Sequence, residues 1–235
     1  MAQFTTDLER QRFEYINNLV SSYSDGKCHA EVSKIRIEET LIDGVGQYRF
    51  DIKKSDIKNN REVSLNRNDV FVPTCITVYV AVQDDNKPAC EELFAYIPIA
   101  GEGSIHPVGF LNGDANAIYN GTLQWQVQNG VLFSSYPTER FKYVPQTQGS
   151  ANKEQSEFST KETTDVAIPR IYVAGTMDHR ITLNFDAQGL TFDCTEGHTP
   201  KLVFYMEGFL VVGGSEYYDG KNAFGEAVVG SWGGK

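Results

Sequence analysis

Leu123-Gln124-Trp125-Gln126-Val127-Gln128-Asn129-Gly130-Val131-Leu132-Phe133 decides the reading of this chain. Leu123, Trp125 and Val127 alternate with Gln124, Gln126 and Gln128, the period of two that places apolar side chains on one face of a strand and polar ones on the other. Asn129-Gly130 follows, the pair that best tolerates the positive φ angles of a tight hairpin turn, and a second apolar run begins at once. The stretch predicts an antiparallel hairpin with Asn129 and Gly130 at its turn.

The same period extends outward. Tyr48, Phe50 and Ile52 alternate with Gln47, Arg49 and Asp51, and Ile76, Val78, Val80 and Val82 form a second apolar row that ends at the turn cluster Asp84-Asp85-Asn86-Lys87-Pro88. Val32, Ile35 and Ile37, then Glu92 to Ile97, Ile168 to Ala174, and Ile181, Leu183 and Phe185 add further strands. Leu202 to Val212 is apolar on both faces around Glu207 and Gly208, so it is expected to be a central strand bulged at Gly208. The total is about eight to twelve strands with no repeated helical crossover. The predicted fold class is all-β, an antiparallel sandwich of jelly-roll type, with a compact double jelly roll as the alternative.

One segment has a different period. Thr6-Asp7-Leu8-Glu9 has the form of a capping box, and Phe13, Ile16, Val20 and Tyr23 then recur at helical spacing until Ser24-Asp25-Gly26 ends the pattern. This predicts an amphipathic helix whose apolar stripe docks either on its own domain or on a neighbouring subunit. The domain reading is a helical arm over 1–26, a sandwich over 27–212 with a long polar loop at 146–165, and a Gly-rich tail over 213–235.

The chain has 235 residues, enough to bury a core without metals or disulfides. A net charge of -10 argues against general binding to nucleic acid or anionic membrane, which needs concentrated Lys and Arg. The first residues lack the pattern of a signal peptide, and no run reaches membrane-spanning length, so synthesis in the cytoplasm and no transmembrane segment are expected. Cys28, Cys75, Cys90 and Cys194 are scattered and read as reduced and mostly buried.

Chemistry is sparse. His29, His106, His179 and His198 form no metal motif, and a site composed of Cys28, His29, Cys194 and His198 requires two distant parts of the chain to meet. Gly101-Glu102-Gly103-Ser104 lacks the Gly-Lys-Ser/Thr of a phosphate loop. Asp84 with Asp85 and Glu91 with Glu92 read as solvated charges at turns and strand edges. Asn120-Gly121-Thr122 fits a glycosylation acceptor but also a turn. Trp125, Tyr119 and Tyr136 invite a sugar platform, although Trp125 falls on the apolar face of its strand. No catalytic, cofactor-binding or metal-binding residue is assigned, and an enzyme is not expected.

The order of features resembles the jelly-roll capsid proteins of icosahedral, tailless bacteriophages. The resemblance lies in the amphipathic helix from Thr6 to Tyr23, the strand pairs from Val32, the long polar loops and the terminal tail. Ala117-Ile118-Tyr119-Asn120-Gly121-Thr122-Leu123 through Phe141-Lys142-Tyr143-Val144-Pro145-Gln146-Thr147-Gln148 is also similar to stretches of phage structural proteins. It implies a structural virion subunit that self-assembles into an icosahedral shell, in contact with copies of itself and with other virion proteins. The alternatives are another virion component, such as a decoration, spike or tail-associated protein, and a carbohydrate-binding β-sandwich module.

Overall fold

The computed structural model describes residues 7–53, 55, 57, 61–100, 108–128, 130–142, 165–166 and 172–217. A helix, α1 (Asp7–Ser24), precedes the strands β1 (Ala30–Thr40), β2 (Gln47–Phe50), β3 (Val70–Asp84), β4 (Glu91–Phe94), β5 (Thr122–Val127) and β6 (Gly130–Pro137). After them come β7 (Asp165–Val166), β8 (Val173–Ala174), β9 (His179–Asn184) and β10 (His198–Val211). All strand pairings among these elements are antiparallel. One sheet has the order β1-β10-β3, with β4, β7 and β8 along the far edge of β3, and the other has the order β2-β9-β5-β6. The protein is therefore a mainly β, sandwich-like structure of two antiparallel sheets. Its pairings are nested: β1 with β10, β2 with β9, β3 with β7 and β8, and β5 with β6.

The longest ladder joins β3 to β10 and carries a bulge where Glu207 pairs with Cys75 and Gly208 with Pro73, leaving Thr74 as the extra residue. Proline has no N–H to give a ladder and is tolerated in a central strand mainly at such a bulge. Gly208 answers it, since a Cβ there would lie 2.1 Å from the Val72 carbonyl oxygen. Thr74 donates its hydroxyl to the Glu207 carbonyl at 3.2 Å, so the extra residue is tied to the partner strand. The irregularity expected at Gly208 is present, and β3 begins at Val70, six residues before the apolar row that revealed it in the sequence.

Between the sheets, Phe204 of β10 stacks on Phe50 of β2 at 5.4 Å and meets Trp125 of β5 edge-on at 6.2 Å. Ile35 and Ile37, the row Ile76 to Val82, and Leu123, Ile181 and Leu183 complete this core. Trp125, Leu123 and Val127 face inward as their alternation predicts. The hairpin also forms, but with its turn one residue earlier than expected. Val127 pairs with Gly130, Gln128 takes the positive φ of 50°, and Gly130 is the first residue of β6. Asn129 lies outside the described residues.

The helix packs on its own sheet. Ile16 and Val20 are fully buried against Val70, Val72, Phe209, Val211 and Ala30, while the Phe13 ring meets Phe209 at 5.5 Å. Asn17 accepts the Ala30 N–H at 3.2 Å, tying the helix to the start of β1. At its end the Gly26 N–H bonds the Ser21 carbonyl, with Asp25 and Gly26 at φ 53° and 74°, as the Ser-Asp-Gly signal implies. Thr6 of the capping box, His106, Gly101 to Ser104, nearly all of the expected 146–165 loop and the tail beyond Tyr217 lie outside the described residues. Asp165 of that loop belongs to β7. The start of the tail is anchored, because Asp69 accepts the Gly213 N–H at 2.8 Å and Ser215 donates to the Asp69 carbonyl at 2.9 Å.

Ile16→Ala removes a fully buried side chain from the helix–sheet contact and is expected to cost about 2–5 kcal/mol of unfolding free energy in denaturant titration. An exposed helical position such as Tyr15→Ala should change it by less than about 0.5 kcal/mol.

Candidate functional site

Four places in the structure collect polar or apolar groups that the packing of a sandwich does not by itself require. The first lies on the outer face of the larger sheet, beyond the end covered by α1. Arg36 of β1, Arg61, Lys201 of β10, Glu38 of β1 and Glu91 of β4 form one ionic network. Glu38 accepts from Arg36 at 2.9 Å, from Lys201 at 2.9 Å and from Arg61 at 3.4 Å. Glu91 bonds Arg36 and lies 3.2 Å from Arg61. Both carboxylate side chains are only 3% exposed. Glu62 caps the network from the side by accepting the Glu38 N–H at 3.1 Å, while Val63 exchanges both backbone bonds with Arg36 and covers that part of the β1 edge.

Glu91 was expected to be a solvated strand-edge charge, and the structure corrects this. Burial pushes its carboxyl above the usual range, with Arg36 and Arg61 pulling it down and Glu38 beside it pushing up. For Glu38, burial is the largest influence, but the Lys201 hydrogen bond and the Arg36 charge together carry it below that range. Glu91 also has one buried oxygen, Oε1, with no hydrogen-bond partner among the described residues. No local pattern announces this network, because its members come together from positions 36, 38, 61, 91 and 201. It is a staple across β1, β10 and β4.

A second place is the interior end of β9. His179 is 4% exposed, places Nε2 at 2.9 Å from the Ala174 carbonyl oxygen, and packs edge-on to Trp125 at 6.2 Å. That contact makes Nε2 the N–H donor of a neutral ring and leaves Nδ1 buried without a partner among the described residues. Burial lowers its pKa to about 4, overcoming the Ala174 hydrogen bond.

The composite metal site is not assembled. His198 opens β10 opposite Asp84, whereas Cys28 and His29 precede Ala30, which pairs with Val211 at the other end of that strand. Fourteen residues of strand separate the two pairs, roughly 45 Å at about 3.3 Å per residue. Among the described residues no group of three or more His, Cys, Asp or Glu side chains is placed to hold a metal ion. The four cysteines are unpaired, but only Cys28 is buried and Cys90 is exposed, fewer buried than expected. The sugar platform also fails as a surface, since Trp125 and Tyr119 are fully buried. Gly121 serves the fold, where a Cβ would meet the Asn184 carbonyl oxygen at 2.4 Å.

The third place is the loop end of the sandwich. Gly44 donates to the Leu190 carbonyl, Asp43 accepts the Phe192 N–H at 2.7 Å, Leu111 donates to Asp193 and Thr195 donates to Gly109. These bonds stitch three loops together and present Ile42, Leu111 and Ile99 outward, at 58%, 57% and 41% exposure. The fourth is the outer face of the smaller sheet, a polar ladder of exposed Gln47, Arg49 and Arg180 and half-buried Gln124, Gln126 and Thr182. At the end of that ladder a recess of about 480 Å³ opens beside Arg49, Lys53, Gln126, Gln128 and Arg180. Among the described residues no helix is long and apolar enough to cross a membrane.

Two outcomes follow from these environments. The His179 pKa is lower in the folded chain than the unfolded value of 6.5, so the unfolded state takes up the proton first and stability falls as pH drops from about 6.5 to 4. At about 1.4 kcal/mol per pH unit this amounts to about 3 kcal/mol, a slope that urea titrations should lose in His179→Gln. In the ionic network, Arg36→Met removes the cation that both buried carboxylates share and should cost about 3–5 kcal/mol, whereas Glu91→Gln, at a site where burial works against the charged form, should cost much less in the same titration. No protein-family model matches the chain, and neither a curated protein nor a solved structure matches it.

Proposed function

We propose that the chain is a structural virion protein, a capsid subunit that self-assembles into a closed shell, and that its sandwich is a single jelly roll. The observation that carries this reading is the nested pairing of the strands. First pairs with last, second with second-last, and so on inward to the β5–β6 hairpin, which is the wiring obtained when one long antiparallel hairpin is rolled into two facing sheets. In chain order β1, β2, β3, β5, β6, β7 with β8, β9 and β10 supply the eight strands of one roll, which favours the single roll over the compact double one. Jelly rolls of this kind build viral coats as well as lectin-type domains. The burial of Trp125 and Tyr119 removes the aromatic platform that the sugar-binding reading relied on.

The surface is consistent with a repeated modest interface. Ile42, Ile99 and Leu111 form an apolar group at one end, held by loops whose backbones are cross-bonded rather than free. A closed symmetric shell gains stability from many copies of such a contact, so no single one has to be strong. The helix, by contrast, is used within the subunit, since Phe13, Ile16 and Val20 of its stripe pack on its own sheet.

Light scattering and negative-stain microscopy of the purified chain test the reading. The expected result is large, regular particles of uniform size, and Ile42→Asp with Leu111→Asp should abolish them while leaving the melting temperature unchanged. A monodisperse monomer at every concentration and salt tested, with no larger species in the native source, overturns the proposal.

A further inference from the structure

The recess on the outer face of the smaller sheet has a feature that the assembly reading does not use. Arg49 and Arg180 of its lining are exposed, and Arg49 acts on the Asp178 carboxylate only through space. Arg49 lies opposite Thr182, and Arg180 lies two residues along β9 on the same face, opposite Gln126. Diagonal neighbours of this kind stand roughly 7–8 Å apart at the backbone, within reach of two flexible guanidinium groups converging on one ligand. Neither guanidinium makes a hydrogen bond or an ion pair among the described residues. In a chain of net charge -10 this is a local concentration of unspent positive charge.

Of the two acidic members of the lining, Asp178 is paired with a cation and Asp51 with a backbone N–H. Asp178 accepts from the Lys53 ammonium at 3.1 Å, which holds its carboxyl below the usual range, and Asp51 accepts the Lys53 N–H at 2.9 Å. Lys53 also donates to the Met177 carbonyl at 2.8 Å, so it is fixed at the rim. What remains for a ligand is two guanidinium forks and the side-chain amides of Gln126 and Gln128, donor-rich and concave.

We infer that this recess binds a phosphate group through Arg49 and Arg180. Guanidinium forks pair with oxyanions by two parallel N–H···O bonds each. A planar carboxylate offers one edge to one fork, whereas a tetrahedral phosphate presents oxygen edges in two directions and fits two forks that approach from neighbouring strands. A cation is disfavoured by the unpaired arginines, and a neutral sugar by the absence of any Phe, Tyr or Trp side chain from the described lining. The phosphate can come from solution as inorganic phosphate or from a nucleic-acid backbone, and the recognition chemistry is the same.

Equilibrium dialysis of the full chain against radiolabelled inorganic phosphate, and in parallel against a short labelled oligothymidylate, separates these sources and works whether or not the protein is assembled. The R49Q/R180Q double variant is expected to weaken phosphate binding at least tenfold with an unchanged melting temperature, as both side chains are exposed. The K34Q/K87Q variant removes the same charge from exposed positions elsewhere and should leave binding unchanged. Binding of the oligonucleotide alone, with the same dependence on Arg49 and Arg180, supports the site and assigns the phosphate to a nucleic-acid backbone. Equal loss in both double variants, or no loss in R49Q/R180Q for either ligand, overturns the inference.

Discussion

The β3–β10 ladder is the constraint on which the rest of the structure depends. A strand buried on both faces must divide its side chains between two different neighbours, and the bulge at Thr74 decides how. On the C-terminal side of the bulge, Ile76, Val78, Val80 and Val82 point into the sandwich, with Tyr79 and Ala81 on the outside. On its N-terminal side the alternation is reset, so that Phe71 points inward and Val70 and Val72 face the helix. An unbulged strand would turn Val70 and Val72 into the core and present Phe71 to α1, because a one-residue slip exchanges the two faces. The pairing of Pro73 with Gly208 is what makes the slip affordable, one residue lacking the N–H and the other the Cβ.

The reset also explains what could and could not be read from the sequence. Period-two reading found the β5–β6 hairpin, the inward row of β3 and the face of β2, because in those places each strand keeps one alternation throughout. It missed the first half of β3, where Pro73 and the changed phase hide a continuous strand. The hairpin turn shifted by one residue because propensity favoured Asn-Gly, while the register set by the strands placed Gln128 at the positive φ. Tertiary pairing outweighs a local preference of this size, since a single left-handed residue costs only about 1–2 kcal/mol.

The candidate sites were less legible for a different reason. Charge at a strand edge ordinarily marks solvent, and Glu91 satisfies that pattern in every local respect. It is buried because Arg36, Arg61 and Lys201 reach the same few cubic ångströms from far along the chain, a contact order that no short window contains. His179 is similar. Only the fold reveals that it sits beside Trp125 under a turn rather than on a loop. The recess needed the register of three strands, because Arg49, Arg180 and Gln126 are neighbours only across the sheet.

The two outer faces of the sandwich are consequently unlike each other. The larger sheet has much of its outer face buried, under the helix, in the apolar cluster of Tyr79, Ala81, Ala95 and Val203, and in the ionic network, and a buried network of this kind adds little net stability, because the cost of desolvating its charges offsets most of their attraction. The smaller sheet leaves its outer face polar and open, with two arginines unpaired. The surfaces on which the two proposals rest are that polar face and the loop end, where Ile42 and Leu111 are more than half exposed. One is polar and cationic and the other apolar, so the two proposals call on different physics: an anion would be held by directed hydrogen bonds, a protein surface by area. The two proposals are therefore independent, because neither surface has to be given up for the other to be occupied.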